Sequence, residues 1–169
     1  SRGPCPPSER LPTRPAPQAG WAQQYDARGA PAPARFFEPA ALASWESRYA
    51  IEALLDLVTV TGDTRYCTAV TEAARWLARS AIAPGCWARF YGLDANAPLY
   101  VASDGRYVDS ATAAHPGYDW TGDFGIPALL ARLGMRDGAA HGSAPPRPVA
   151  GDPGVCPAAR APRRSLPAP

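Results

Sequence analysis

The apolar positions along the chain recur with a helical period that is interrupted at regular breaks. Ile51, Leu54, Leu55 and Val58 repeat at i, i+3, i+4 and i+7, the spacing that lines one face of a helix. Ser44 precedes this stripe as a candidate N-cap, and Trp45 and Glu46 open the first turn, where an acidic side chain suits the positive end of the helix dipole. Gly62 predicts a left-handed helix end. Asp63 then predicts the cap of a second helix reaching about Ser80, with Tyr66, Val70, Ala73, Ala74 and Leu77 as its buried stripe and Arg75 and Arg79 toward its C-terminal end. Two helices joined by a tight Gly-Asp link predict an antiparallel helical hairpin.

Pro84-Gly85 breaks the helical pattern. Residues 86–108 read as short extended pieces, and Asp104-Gly105 between aromatic and apolar flanks predicts a small β-hairpin. Residues 111–125 form a loop rich in Gly and aromatic side chains. A short helix is expected from Ile126, with Pro127 in its first turn and Gly134 past its end. Upstream, residues 20–39 carry Trp21, Tyr25, Phe36 and Phe37 among Pro31, Pro33 and Pro39, so an irregular segment lying against a groove or core is expected. Two full helices, one short helix and a hairpin make a thin core, and helical hairpins that need a further layer are typical of toroids and solenoids. The expected fold is therefore mainly α: a partial α/α toroid over residues 20–134, between a disordered Pro-rich tail at 1–19 and a disordered Pro/Ala/Arg-rich tail at 135–169.

Composition sharpens the tails and excludes some functions. The 169 residues include 21 Pro and 15 Gly, with proline concentrated at both ends, where little apolar surface can offset the entropy of ordering. A net charge of +2, partly carried by Arg147, Arg160, Arg163 and Arg164 in the tail, argues against nucleic acid as a partner. No apolar run has membrane-spanning length and no signal peptide is visible. The chain starts at Ser1 rather than Met, which leaves room for a leader or a whole upstream half. No CxxC or Cys/His cluster suggests zinc. Cys5 and Cys156 lie in the tails, which argues against a disulfide framework, while Cys67 and Cys86 remain able to pair. His115 and His141 read as solvated loop residues.

Three blocks carry a more specific signal: GWAQQYDARGAPAPARFFEPAALASWES at residues 20–47, GCWARFYGLDANAPLY at 85–100 and GYDWTGDFG at 117–125. In this order they resemble the C-terminal half of the toroidal pectate lyases of the tenth polysaccharide lyase family. The resemblance covers residues 20–133. It implies β-elimination on polygalacturonate, or another acidic polysaccharide, with calcium assisting and with secretion or a periplasmic location. It places Arg35 as the catalytic base that removes the C5 proton and Arg89 as the clamp on a substrate carboxylate, with Trp21, Trp87, Tyr91, Asn96, Tyr118 and Trp120 around the substrate and Glu38 supporting Arg35. The family's calcium carboxylates lie in an N-terminal half, and no motif of this chain matches them, so no metal ligand is assigned. After Tyr91, Asn96 and Pro98 fit the family pattern, while Ala97 stands where an arginine is expected.

The same residues also admit plainer roles. Arg35 can be a surface arginine in a Pro/Ala loop, and Arg89 can be a cation packed on aromatic rings. The tryptophans can line a sugar groove or fill a core. Glu38 and Glu46 can hold the arginines, or serve as helix N-terminal charges, the role Glu46 suits better. A binding module for acidic polysaccharide is the alternative to a lyase. A glycoside hydrolase would need a pair of carboxylates across the scissile bond, and no such pair stands out.

Overall fold

The computed structural model describes residues 18–138. The tail expectations, with Cys5, His141 and Cys156, fall almost entirely outside that range. In chain order the elements are β1 (Leu42–Ala43), α1 (Ser44–Thr61), α2 (Tyr66–Arg79), β2 (Trp87–Ala88), β3 (Phe90–Tyr91), β4 (Pro98–Val101), β5 (Tyr107–Val108), β6 (Thr121–Gly122) and α3 (Ile126–Arg132). The expectation of a mainly α partial toroid is thereby corrected. Three helices stand with six strands in two antiparallel sheets, one ordered β1-β3-β4-β5 and the other pairing β2 with β6.

The helical hairpin forms as its periodicity predicts. Ile51, Leu55 and Val58 of α1 and Val70, Ala73, Ala74 and Leu77 of α2 are buried, and full burial of each larger aliphatic side chain contributes about 1.5–3 kcal/mol. Gly62 adopts φ 69°, and its N–H closes α1 on the Val58 carbonyl at 2.9 Å. The caps differ from expectation. Ser44 is the first residue of α1 and sends its hydroxyl to the Ala88 carbonyl at 2.7 Å. Asp63 instead forms a local turn, accepting the Arg65 backbone N–H at 3.0 Å.

What the helical reading missed is the sheet that covers the hairpin. The extended pieces after Pro84-Gly85 pair with the two residues that lead into α1. Leu42 lies opposite Tyr91 and Ala43 opposite Phe90. Successive strand side chains point to opposite faces, so this register sorts them into two cores. Leu42 and Tyr91 join Ile51, Leu55, Trp76, Leu77, Ile126 and Leu130 on the helical side. Ala43 and Phe90 join Phe37, Val101, Ala114 and Trp120 on the other. The Asp104-Gly105 turn closes β4 on β5, with Gly105 at φ 83°. The short helix α3 begins at Ile126 with proline in its first turn and is followed by Gly134 at φ 70°.

Residues 20–41 run along the sheet edge, tied by an Ala22–Leu42 bridge and by the Ala43 N–H donating to the Trp21 carbonyl at 2.8 Å. Past α3, Met135 packs on the helical core and the Asp137 carboxylate accepts the Gly85 N–H at 3.0 Å. Cys67 and Cys86, which the sequence left able to pair, are both disulfide-bonded. Among the described residues no helix is long and apolar enough to cross a membrane.

Candidate functional site

Residues 34–38 make a tight turn in which the Glu38 N–H donates to the Arg35 carbonyl at 2.8 Å and the Ala34 N–H to the Glu38 carbonyl at 3.1 Å. The turn drives Phe37 into the second core and leaves Phe36 outside. It also folds the Arg35 side chain back on Glu38. Glu38 Oε2 accepts from Arg35 Nε at 2.9 Å and from the Arg35 backbone N–H at 3.1 Å. Oε1 accepts from Arg35 Nη2, from Gln23 Nε2 at 2.9 Å and from the Tyr118 hydroxyl at 2.8 Å. The pair is lopsided: Glu38 is 2% exposed, whereas the Arg35 side chain is 62% exposed.

This cage explains the electrostatics. Hydrogen bonds from Arg35, followed by those from Gln23 and Tyr118, outweigh the cost of burial and bring Glu38 down from an ordinary 4.5 to about 2. The same contact raises the already high proton affinity of Arg35. Burial, reinforced by the hydrogen bond to Glu38, raises the Tyr118 phenol, so Tyr118 serves as a donor across the physiological range.

The second arginine also contacts the Tyr118 ring. Arg89, between β2 and β3, is 7% exposed. Its guanidinium carbon lies 4.3 Å from the Trp45 ring centroid, 5.2 Å from Tyr118 and 5.9 Å from both Phe90 and Phe124. Its Nη2 donates to Glu46 Oε1 at 2.9 Å. Glu46 therefore does what the plainer reading discounted: it sits in the first turn of α1 and also holds Arg89. Arg89 Nε and Glu46 Oε2 are buried with no hydrogen-bond partner among the described residues. Trp45 and Phe124 stack at 5.8 Å and 19°. Phe124 takes φ 47°, a left-handed conformation that costs a non-glycine residue about 1–2 kcal/mol and is held here by that stack.

The site thus joins Arg35, Glu38, Tyr118 and Arg89 of the expected set. Trp120 lies beneath it, 4% exposed, with its ring 5.1 Å from Tyr118 and its Nε1 donating to the His115 carbonyl at 2.8 Å. Trp87 and Tyr91 are interior. Trp87 Nε1 donates to the Leu77 carbonyl at 2.7 Å, and the Tyr91 hydroxyl to the Ser80 carbonyl at 2.5 Å. Asn96 belongs to the end of α2, accepting from Trp76 Nε1 at 2.9 Å and donating to Ser80 Oγ at 2.7 Å. Trp21 is half-buried against the helical core. His115 is no free loop residue: it stacks on Phe37 at 4.2 Å and 15°. Of the aromatic side chains expected around a substrate, Tyr118 is the one in direct contact with both arginines. A shallow cavity of about 170 Å³ opens beside it, lined by Ala111, Thr112, Asp119, Trp120 and Thr121.

Gln23, Trp45 and Phe124 were missed as members of the site. Gln23 and Phe124 lie within the blocks that drew attention to Arg35 and Tyr118, but a glutamine has no charge to flag it. The Gly122 and Gly125 that flank Phe124 were the visible sign of an unusual backbone there.

Calcium needs six to eight oxygen ligands. Among the described residues no group of three or more His, Cys, Asp or Glu side chains is gathered to hold a metal ion. Glu38 and Glu46 are each engaged by an arginine. These donors do not fit calcium, and no step is drawn through it. No family model matches the chain, and no curated protein matches it significantly.

Proposed function

We propose that the site grips the carboxylates of an acidic polysaccharide, polygalacturonate in the first place, and that the chain carries the base and clamp of a pectate lyase acting by β-elimination. One observation carries the reading. Arg35 is fixed in position by a buried carboxylate, yet is mostly exposed, on a ring it shares with the second arginine. Guanidinium groups are the side chains best suited to paired hydrogen bonding with carboxylates. Arg35 spends Nε and Nη2 on Glu38, which leaves Nη1 toward the ligand. In the lyase reading, neutral Arg35 takes the C5 proton next to the uronate carboxylate, the freed electron pair forms the C4=C5 double bond as the C4–O bond breaks, and the departing sugar oxygen takes a proton from water, which leaves an unsaturated sugar on the other fragment. The disulfide-bonded Cys67 and Cys86 support an oxidising compartment, hence secretion or the periplasm.

A specific observation favours a second reading, a binding module without turnover. Glu38 stabilises the Arg35 cation, and a protonated guanidinium holds a carboxylate without abstracting a proton. Incubation with polygalacturonate and calcium at alkaline pH separates the two. Ultraviolet-absorbing unsaturated uronate that disappears in Arg35→Ala supports the lyase. Retention on pectate without product supports the module. Neither product nor retention overturns both.

A further inference from the structure

Tyr118 has two distinct contacts with the site. Its hydroxyl donates to Glu38 Oε1 at 2.8 Å. Its ring lies under both cations, 5.6 Å from the Arg35 guanidinium carbon and 5.2 Å from that of Arg89. The two guanidinium carbons are therefore no farther apart than those two distances combined. The ring is itself fixed from below, parallel to Phe90 at 6.2 Å and 7° and edge-on to Phe37 and Trp120 at 5.1 Å each. Two like charges so close would repel each other and swing apart on free side chains. Here each is held by its own carboxylate, Glu38 or Glu46, and both contact the single Tyr118 ring.

We propose that Tyr118 is a positioning residue that makes Arg35 and Arg89 one carboxylate-reading unit, so that the site selects a polyuronate with closely spaced carboxylates over a single uronic acid. Tyr118 acts through Glu38: the hydroxyl fixes the carboxylate rotamer, and the carboxylate fixes Arg35. The inference rests on the reading of Arg35 as a carboxylate grip.

Tyr118→Phe removes the hydroxyl and keeps the ring, so packing against Phe90 and Trp120 is retained. The first measurement needs no ligand. The Arg35 Nε–H resonance, assigned by its loss in Arg35→Lys, is expected to be sharp and slowly exchanging in the wild type and to broaden or shift in Tyr118→Phe. An unchanged resonance overturns the inference, whatever the ligand does. The second measurement is affinity for trigalacturonate. Loss of one hydrogen bond to a charged group is worth about ten- to a hundredfold when felt in full; passed to the ligand only through Glu38 and Arg35, it is expected to weaken binding about three- to tenfold in Tyr118→Phe, with no further loss when the change is made in an Arg35→Ala background. Equal losses in both backgrounds mean that Tyr118 acts on its own and overturn the inference. The weakening is expected to be smaller for monogalacturonate; an equal effect on both ligands overturns the selectivity. A wild type that binds no uronate sinks the functional reading, and the resonance still decides the role of Tyr118.

Discussion

Replacing Glu38 by Gln tests the electrostatic core of the site. The substitution keeps the shape and removes the charge. It also turns one acceptor into a donor. If the amide nitrogen takes the Oε2 place it faces Arg35 Nε and the Arg35 backbone N–H; in the Oε1 place it faces Arg35 Nη2, Gln23 and Tyr118. Either way donors meet donors, and hydrogen bonds to a charged group are worth about 1.5–3 kcal/mol each. The loss is limited because Arg35, being mostly exposed, regains water. A total of about 2–4 kcal/mol follows at neutral pH.

The charge component of that loss has its own signature. A fall from 4.5 to about 2 is worth about 3.4 kcal/mol at 1.36 kcal/mol per unit. Solvent screening of the exposed partner reduces this to about 1–2 kcal/mol. Because the folded-state value is depressed, this stability is fully present above the ordinary glutamate value and is lost as pH falls through the folded value. Urea unfolding of wild type and Glu38→Gln, repeated from neutral to strongly acidic pH, is the assay. The gap between the two proteins is expected to be widest near neutrality and to narrow by about 1–2 kcal/mol between roughly pH 4.5 and 2. A gap that stays constant with pH refutes the assignment of Glu38 as an ionised, arginine-caged carboxylate.

Three further outcomes follow from the geometry. Arg89→Leu removes a cation enclosed by Trp45, Phe90, Tyr118 and Phe124 and strands Glu46; a loss of about 2–4 kcal/mol is expected, with a lowered thermal midpoint as the check. Gly125→Ala places a Cβ 3.2 Å from the Arg48 guanidinium nitrogens at φ 73°, and is expected to cost about 1–2 kcal/mol by urea unfolding. Arg35→Ala is expected to abolish retention on pectate and, because it leaves the buried Glu38 carboxylate without its cation, also to lower the thermal midpoint by several degrees.

The helices were legible because each repeats its apolar positions over several turns. The ends of α1 and α3 were legible as well, since Gly62 and Gly134 take the left-handed conformation their positions predict. The sheet was not. Five of the six strands are two residues long, too short for alternation to register as a pattern. Their pairing, Leu42 with Tyr91 and Ala43 with Phe90, joins segments on either side of the whole hairpin. The site was half legible. Charge drew attention to Arg35 and Arg89, but neither the sharing of Tyr118 nor the pairing of Arg89 with Glu46, forty-three residues away, leaves a local trace. The aromatic residues divided by depth: a tryptophan such as Trp87 looks the same in a sequence whether it faces a sugar or donates to a backbone carbonyl inside the core.

The same Glu38 variant also decides between grip and base. An arginine yields its proton only when the cation is destabilised, and Glu38 does the opposite. In the resting site Arg35 is therefore built to hold a carboxylate. If it is also the base, abstraction must occur in a state where Glu38 no longer stabilises its charge, and Glu38→Gln creates such a state permanently. Binding of polygalacturonate should then weaken, while the rising limb of the pH–rate profile moves toward lower pH, because the neutral guanidine is reached more easily. A grip-only site gives the weaker binding and no product at any pH. Product formation with an unmoved rising limb would show that some group other than Arg35 takes the proton.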